Sequence, residues 1–228
     1  MIARQQVLII VTSFGRIDER HVTGLWLEEF AIPYLALTAA GYGVTIGSPA
    51  GGRAPVDPQS VAGHIPPAWQ AAAGALAATK KLDVLRVADY DAIIFPGGHG
   101  PMFDLATNRH LAGVLPQFAA AGKVIGAVCH GPAALVSAVM PDGKPLLAGK
   151  RVTAFTNEEE TTTHLQAVVP FFLETRLKAL GAEFSKSAPG VGQVVVDGNL
   201  VTGQNKQACD RFTQAVLTVL ANRAKLRR

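Results

Sequence analysis

Three short, unbroken apolar runs do most to limit what this chain can fold into. They are Val7-Leu8-Ile9-Ile10-Val11, Ala92-Ile93-Ile94-Phe95, and Val124-Ile125-Gly126-Ala127-Val128 after Lys123. None alternates apolar with polar residues, so each reads as a strand covered on both faces. Helical patterns lie between them: 24–40 closed by Gly41, 108–121, 132–139, 168–180 closed by Gly181, and about 206–224. Gly43-Val44-Thr45-Ile46 and 151–155 read as further strands. Val194-Val195-Val196 and Leu200-Val201 flank Asp197-Gly198-Asn199, the signature of a hairpin. Strands alternating with helices predict an α/β protein, a three-layer αβα sandwich around a mostly parallel, doubly wound sheet. In such sheets ligands sit beyond the carboxyl ends of the strands.

The 228 residues suit one domain over 1–228, with a short insertion at about 50–80 that is Pro-rich at first. Folding a chain of this size buries about 70% of its unfolded surface, so neither a metal nor a disulfide is needed for stability. Lys and Arg number 21 against 17 Asp and Glu, but Arg223, Lys225, Arg227 and Arg228 crowd the last six residues. The body is therefore balanced. The basic tail reads as a solvated helix end whose cations complement the macrodipole, and no nucleic-acid partner is expected. The amino-terminal apolar run is too short for a signal peptide, and no run of about 20 apolar residues could cross a membrane. The two cysteines, Cys129 and Cys209, fit free thiols in a reducing, cytoplasmic setting. There is no C-x-x-C and no H-E-x-x-H, so no metal is expected.

The segment VIGAVCHGPAAL carries the chemistry. A strand ends at Val128, Cys129 follows, and Gly131-Pro132 opens a helical turn, where proline's missing N–H goes unnoticed. Gly126 and Gly131 allow a sharp reversal, which makes a nucleophile elbow with the thiol at the top of the sheet. A thiol at a helix amino terminus is expected to have a lowered pKa. Cys209 lies at core spacing on an amphipathic helix. Pro96-Gly97-Gly98-His99-Gly100 follows another central strand, and Gly97 and Gly98 allow backbone N–H groups to approach a developing oxyanion. His130 adjoins the cysteine and needs a carboxylate to orient it; Glu158, Glu159 and Glu160 are available. Glu29 precedes Pro33, which lacks the N–H that would bond the residue 29 carbonyl. A helix interrupted there, beside Trp26 and Phe30, predicts a partly buried acid with a raised pKa.

Taken in order, TGLWLEEFAIPY, AGYGVTIGSPAGGRAPVDPQS, FPGGHGPMFDL, GAVCHGPAAL and TAFTNEEE resemble the DJ-1/PfpI superfamily. The resemblance is closest to its branch of heat-shock-protein-thirty-one-like chaperones and glutathione-independent glyoxalase III. It implies a flavodoxin-like fold of the class I glutamine amidotransferase type, and it covers most of 23–160. It places the nucleophile on Cys129, the histidine on His130 and the amino-terminal acid on Glu29. The third acid falls on Glu160, with Glu159 as the alternative by a one-residue slip. The oxyanion donors fall on the N–H groups of Gly98 and His130. The adjacent histidine argues against glutamine hydrolysis. His164 departs from the pattern and reads as a surface residue or one at the pocket rim.

The activity implied is conversion of methylglyoxal, a small 2-oxoaldehyde, to D-lactate through a cysteine hemithioacetal, without an added cofactor. The resemblance also implies a homodimer. Alternatives are a stress chaperone or redox sensor, a protein deglycase, and a cysteine amidase or peptidase.

Overall fold

The computed structural model describes residues 4–226, so Arg227 and Arg228 of the basic tail lie outside the described residues. In chain order the elements are β1 (Gln6–Ile10), α1 (Leu27–Ala39), β2 (Gly43–Ser48), α2 (Gln70–Ala75), β3 (Lys80–Lys81), β4 (Ala92–Phe95), α3 (Pro101–Asp104) and α4 (Arg109–Ala120). There follow β5 (Val124–Val128), β6 (Arg151–Val152), α5 (Asn157–Thr162), α6 (Leu173–Ala179), β7 (Glu183–Phe184), β8 (Val194–Asp197), β9 (Leu200–Gly203) and α7 (Cys209–Leu226). Seven strands form one sheet in the order β3-β2-β1-β4-β5-β9-β8. All pairings in it are parallel except β8 with β9, the hairpin.

The solid apolar runs are explained by the two faces of this sheet. Successive side chains of a strand point to opposite sides. Leu8, Ile10, Ile93, Phe95 and Ile125 pack on one side, against Met102, Leu111, Leu115 and Phe118 of α3 and α4. Val7, Ile9, Ile94, Val124 and Val128 pack on the other, against Phe30 and Leu37 of α1 and Phe212, Val216 and Leu220 of α7. Each fully buried side chain of this size stabilises the fold by about 1.5–3 kcal/mol. Arg223 and Lys225 stand in the last turn of α7, where cations suit the helix dipole.

Four expectations need correction. First, α1 is not interrupted at Glu29: it starts at Leu27 and runs through Pro33 to Ala39. Proline costs one backbone bond there, and the buried Phe30 and Leu37 hold the helix around it. Second, 132–139 is not an α-helix but a five-residue 3₁₀ turn, Gly131–Leu135, with every residue buried. Third, the strand at 151–155 shrinks to β6, which pairs with β7 in a separate two-stranded sheet. Fourth, the helix at 168–180 starts only at Leu173.

The 50–80 segment folds back on the main sheet. Leu25 bridges Val56 and Gly52 bridges Thr79, after which β3 joins the sheet edge. Among the described residues, no helix is long and apolar enough to cross a membrane.

Candidate active site

The chain reverses at Cys129 with φ +59°, a left-handed value that non-glycine residues rarely adopt. Its N–H donates to the Gly203 carbonyl at 2.9 Å, and its carbonyl accepts the Phe155 N–H at 3.0 Å. The cysteine is thereby held by β9 on one side and the 151–155 segment on the other. Strain of this kind persists only where the surroundings over-determine it, and it concentrates at functional positions.

Gly97 explains why the loop after β4 needs glycine. A Cβ there would lie 2.6 Å from Glu29 Oε2, 2.7 Å from the His130 nitrogen and 2.8 Å from Cys129 Cβ. Gly98, at φ +88°, has the Gly24 carbonyl 2.3 Å from the position a Cβ would take. The two glycines bring the loop backbone against the elbow, and the N–H groups of Gly98 and His130 act to lower the Cys129 pKa. These are the donors that the sequence reading named for an oxyanion.

Glu29 reaches the elbow from α1 and is 1% exposed. Its Oε2 accepts the Gly97 N–H at 2.8 Å, and its carboxyl bonds the Cys129 thiol. Burial pushes its pKa up to about 8, against the pull of these two bonds. Glu29 is therefore largely neutral at pH 7 and has a proton to give. The thiol departs from the sequence expectation. Burial, then the charge and hydrogen bond of Glu29, push Cys129 up, and the N–H groups of Gly98 and His130 oppose this. The expected helix-dipole effect is weak because only a short 3₁₀ turn follows the cysteine. A neutral Glu29 removes the charge that opposes a thiolate, so proton positions on the two groups are linked.

His130 Nδ1 stands 3.4 Å from the Cys129 sulfur, and its Nε2 stands 2.7 Å from Glu160 Oε2. With a proton on Nε2, Nδ1 is the free base facing the thiol. Burial, then the His99 charge, lower the His130 pKa, while Glu160 works the other way. Burial disfavours charge on Glu160, yet hydrogen bonds from His130 and His99 outweigh it and hold the carboxyl well below the usual range.

Glu160, not Glu159, therefore meets His130. Glu159 instead closes a capping box with Thr156 and accepts bonds from Gly190, Gln204 and Asn205. His164 is exposed, outside the cavity, and Cys209 is buried in the core at the start of α7. His99 went unnoticed in the sequence, although it contacts Glu160 at 2.9 Å. The available signal was an imidazole in a glycine turn at the carboxyl end of a central strand. Thr156-x-x-Glu159 was likewise a readable capping signature. His99, His130 and Glu160 offer donor atoms within 4.8 Å of one another. Each imidazole turns Nε2 to the carboxylate, so the three form a hydrogen-bonded set.

These groups open into a cavity of about 410 Å³, walled also by Trp26, Phe155 and Asn205, with Arg20 and Lys206 on its lining. A larger groove of about 820 Å³ along α7 and the β8–β9 hairpin contains no thiol, imidazole or carboxylate. The chemically equipped cavity lies at the carboxyl ends of β4 and β5, where the fold rule places a ligand.

Known proteins are similar to this chain over most of its length. A glutathione-independent glyoxalase of Schizosaccharomyces pombe is 28% identical over 242 residues, covering 96% of this chain and 97% of the yeast protein. The crystal structure of the Francisella tularensis Rapid Encystment Protein 24 KDa superposes with a TM-score of 0.89 at 34% identity, covering 95% of this chain and 99% of the other. Glyoxalase III of Candida albicans superposes with a TM-score of 0.81 at 25% identity, covering 94% and 97%. The DJ-1/PfpI family model matches residues 23–219, a span that takes in Glu29, the Gly97-Gly98 loop, the Cys129 elbow and Glu160. With α1, strands β4 and β5 and most of α7 inside that match, the chain belongs to the DJ-1/PfpI family.

Proposed function

We propose that this protein is an enzyme that converts methylglyoxal and related 2-oxoaldehydes to 2-hydroxy acids, giving D-lactate from methylglyoxal, with water and no cofactor. The observation that carries this reading is the meeting of Glu29 and Cys129 at Gly97: a buried carboxyl, its pKa raised to about 8, packed beside the thiol of the elbow. Relatives named as glutathione-independent glyoxalases support the same activity.

The thiol proton passes to His130 Nδ1, and the sulfur adds to the aldehyde carbon. The new C–S bond makes a hemithioacetal, whose oxygen lies near the Gly98 and His130 N–H groups and takes a proton from Glu29. Glu29, now a carboxylate, removes the hydrogen on that carbon while His130 Nδ1 gives its proton to the ketone oxygen, which makes an enediol. Glu29 then hands its proton to the neighbouring carbon and takes up the hydroxyl proton of the sulfur-bearing carbon, so both groups return to their starting states. The electron pair has moved within the substrate, so no oxidant or reductant is required. The product is a lactoyl thioester on Cys129. His130, oriented by Glu160, draws a proton from water; hydroxide displaces the sulfur and lactate leaves. Positioned acid–base groups of this kind contribute about 10²–10⁴-fold each.

Under this reading residues 1–228 act as one domain, cytoplasmic and homodimeric. The test is to mix purified, reduced protein with methylglyoxal without glutathione and to follow D-lactate. Lactate from wild type and none from Cys129→Ala is the expected result. No lactate from a folded, reduced wild type overturns the reading, and peroxide titration and client-aggregation assays then address the sensor and chaperone alternatives.

A further inference from the structure

Glu160 is held at both carboxylate oxygens. Oε2 meets His130 Nε2 at 2.7 Å; Oε1 meets His99 Nε2 at 2.9 Å and accepts the Thr163 hydroxyl at 3.0 Å. The three residues come from three places: the loop after β4, the elbow after β5, and α5. All are buried, and the His99 and His130 rings lie 4.2 Å apart at 41°. The His130 ring also packs on Phe155 at 4.4 Å.

A carboxylate bonded at one oxygen can swing about its terminal torsion, which is broad. Bonds at both oxygens remove that freedom. The fixed Oε2 then keeps a proton on His130 Nε2 and leaves Nδ1 bare toward the sulfur.

We propose that His99 is a positioning residue: acting through Glu160, it fixes the tautomer and orientation of His130, and so the readiness of Cys129 to react. The geometry has an electrostatic corollary. One carboxylate stands between two imidazoles, and a charge on His99 opposes a charge on His130. Facing the pair are Glu29 from α1 and Glu159 from α5, with Arg20, His21 and Lys206 on the cavity lining. Glu159 is occupied by its own donors, and His21 pairs with Asp18. Glu160 is thus the carboxylate in direct contact with both rings.

The proposal rests on Cys129 being the nucleophile of the site, and it does not depend on methylglyoxal being the substrate. The test therefore reads the thiol directly. Wild type, His99→Gln, His99→Leu and Thr163→Val are alkylated with iodoacetamide between pH 5 and 9, with methylglyoxal turnover measured alongside. His99→Leu is expected to slow alkylation at pH 7 by about tenfold to a hundredfold, the effect of one charge-assisted bond. Glutamine places an N–H donor near the imidazole Nε2 position, so His99→Gln recovers most of that loss. Thr163→Val, which leaves His99 in place, changes the rate by less than about threefold.

A His99→Leu profile that overlays wild type overturns the proposal. So does a His99→Gln protein that folds like wild type but is as slow as His99→Leu. If His99→Leu does not fold, His99→Ala takes its place: alkylation slowed as above supports the role, and a wild-type profile overturns it. A wild type that makes no lactate while the alkylation pattern holds removes the substrate reading and leaves the positioning role standing.

Discussion

Glu29 and Gly97 are joined by a 2.8 Å hydrogen bond from the loop N–H to the carboxyl Oε2. The bond ties α1 to the loop after β4 across 68 residues of sequence, at the point where the thiol also meets the acid. It holds the acid in place, so changes to its chemistry and to its seat should have separable effects.

Glu29→Gln keeps an acceptor for the Gly97 N–H and keeps the volume, but it cannot shuttle a proton. Lactate formation is expected to drop about 10³-fold, with KM little changed, because the lost step is general acid–base transfer. Initial rates on protein with wild-type circular dichroism check this.

Gly97→Ala attacks the seat instead. The new methyl would need space now taken by Glu29, the His130 nitrogen and Cys129 at 2.6–2.8 Å. A displacement of about 1 Å costs roughly 10²-fold in rate, and the same shift should weaken folding. Turnover and a urea unfolding midpoint, both lower than wild type, are the expected pair of results.

The pH dependence of stability has a definite sign. Burial raises Glu29 to about 8 and Asp104 to about 6. The folded protein therefore holds these protons more tightly than the unfolded chain does. The stabilising contribution is complete below the ordinary carboxylate range and is lost as pH rises through the folded values. The unfolding temperature should fall between pH 5 and pH 9, and Glu29→Gln should flatten the upper part of that fall. Differential scanning calorimetry in a buffer series reads both.

Glu159→Gln tests the structural acid next to the site. The carboxylate accepts from Thr156, Gly190, Gln204 and Asn205, and an amide leaves at least one of these donors unpaired. A buried orphan of that kind costs about 1–3 kcal/mol, or roughly 2–12 °C in Tm for a chain of this length. Thermal melting checks the loss. Glu160→Gln strands donors in the same way and is expected to lower Tm as well, but to abolish most turnover besides, which Glu159→Gln does not.

How much could be read in advance depended on where the chain's backbone groups found their partners. The strands β1, β4 and β5 pair along their lengths, and their solid apolar runs gave them away. The 151–155 segment has the same apolar character but spends its N–H groups individually: Thr153 donates to the Thr202 side chain and Phe155 to the Cys129 carbonyl. No local pattern shows that kind of bonding. Cys129 and His130 were legible because an elbow has its own local grammar of strand, glycine and proline. Glu29 was legible in part, through Pro33 and its apolar neighbours, although the helix break inferred from Pro33 did not occur. The choice between Glu160 and Glu159 depended on the phase of α5 against a distant loop. His99 was missed because a glycine-rich turn conceals the direction of its side chain.

The joints of Cys129 also bear on when the chain becomes reactive. Its backbone is fastened to Gly203 and Phe155, its side chain to an acid 100 positions earlier in the chain, and its imidazole partner to a carboxylate 30 positions later. Closing loops of that span is slow relative to forming the local helices. A growing or partly opened chain thus carries an ordinary cysteine, without its acid, its imidazole or its backbone donors. The four parts of the site meet only with the last docking event, so under the proposed function lactate formation appears no earlier than the native state, and its onset during refolding serves as a clock for completion of the fold.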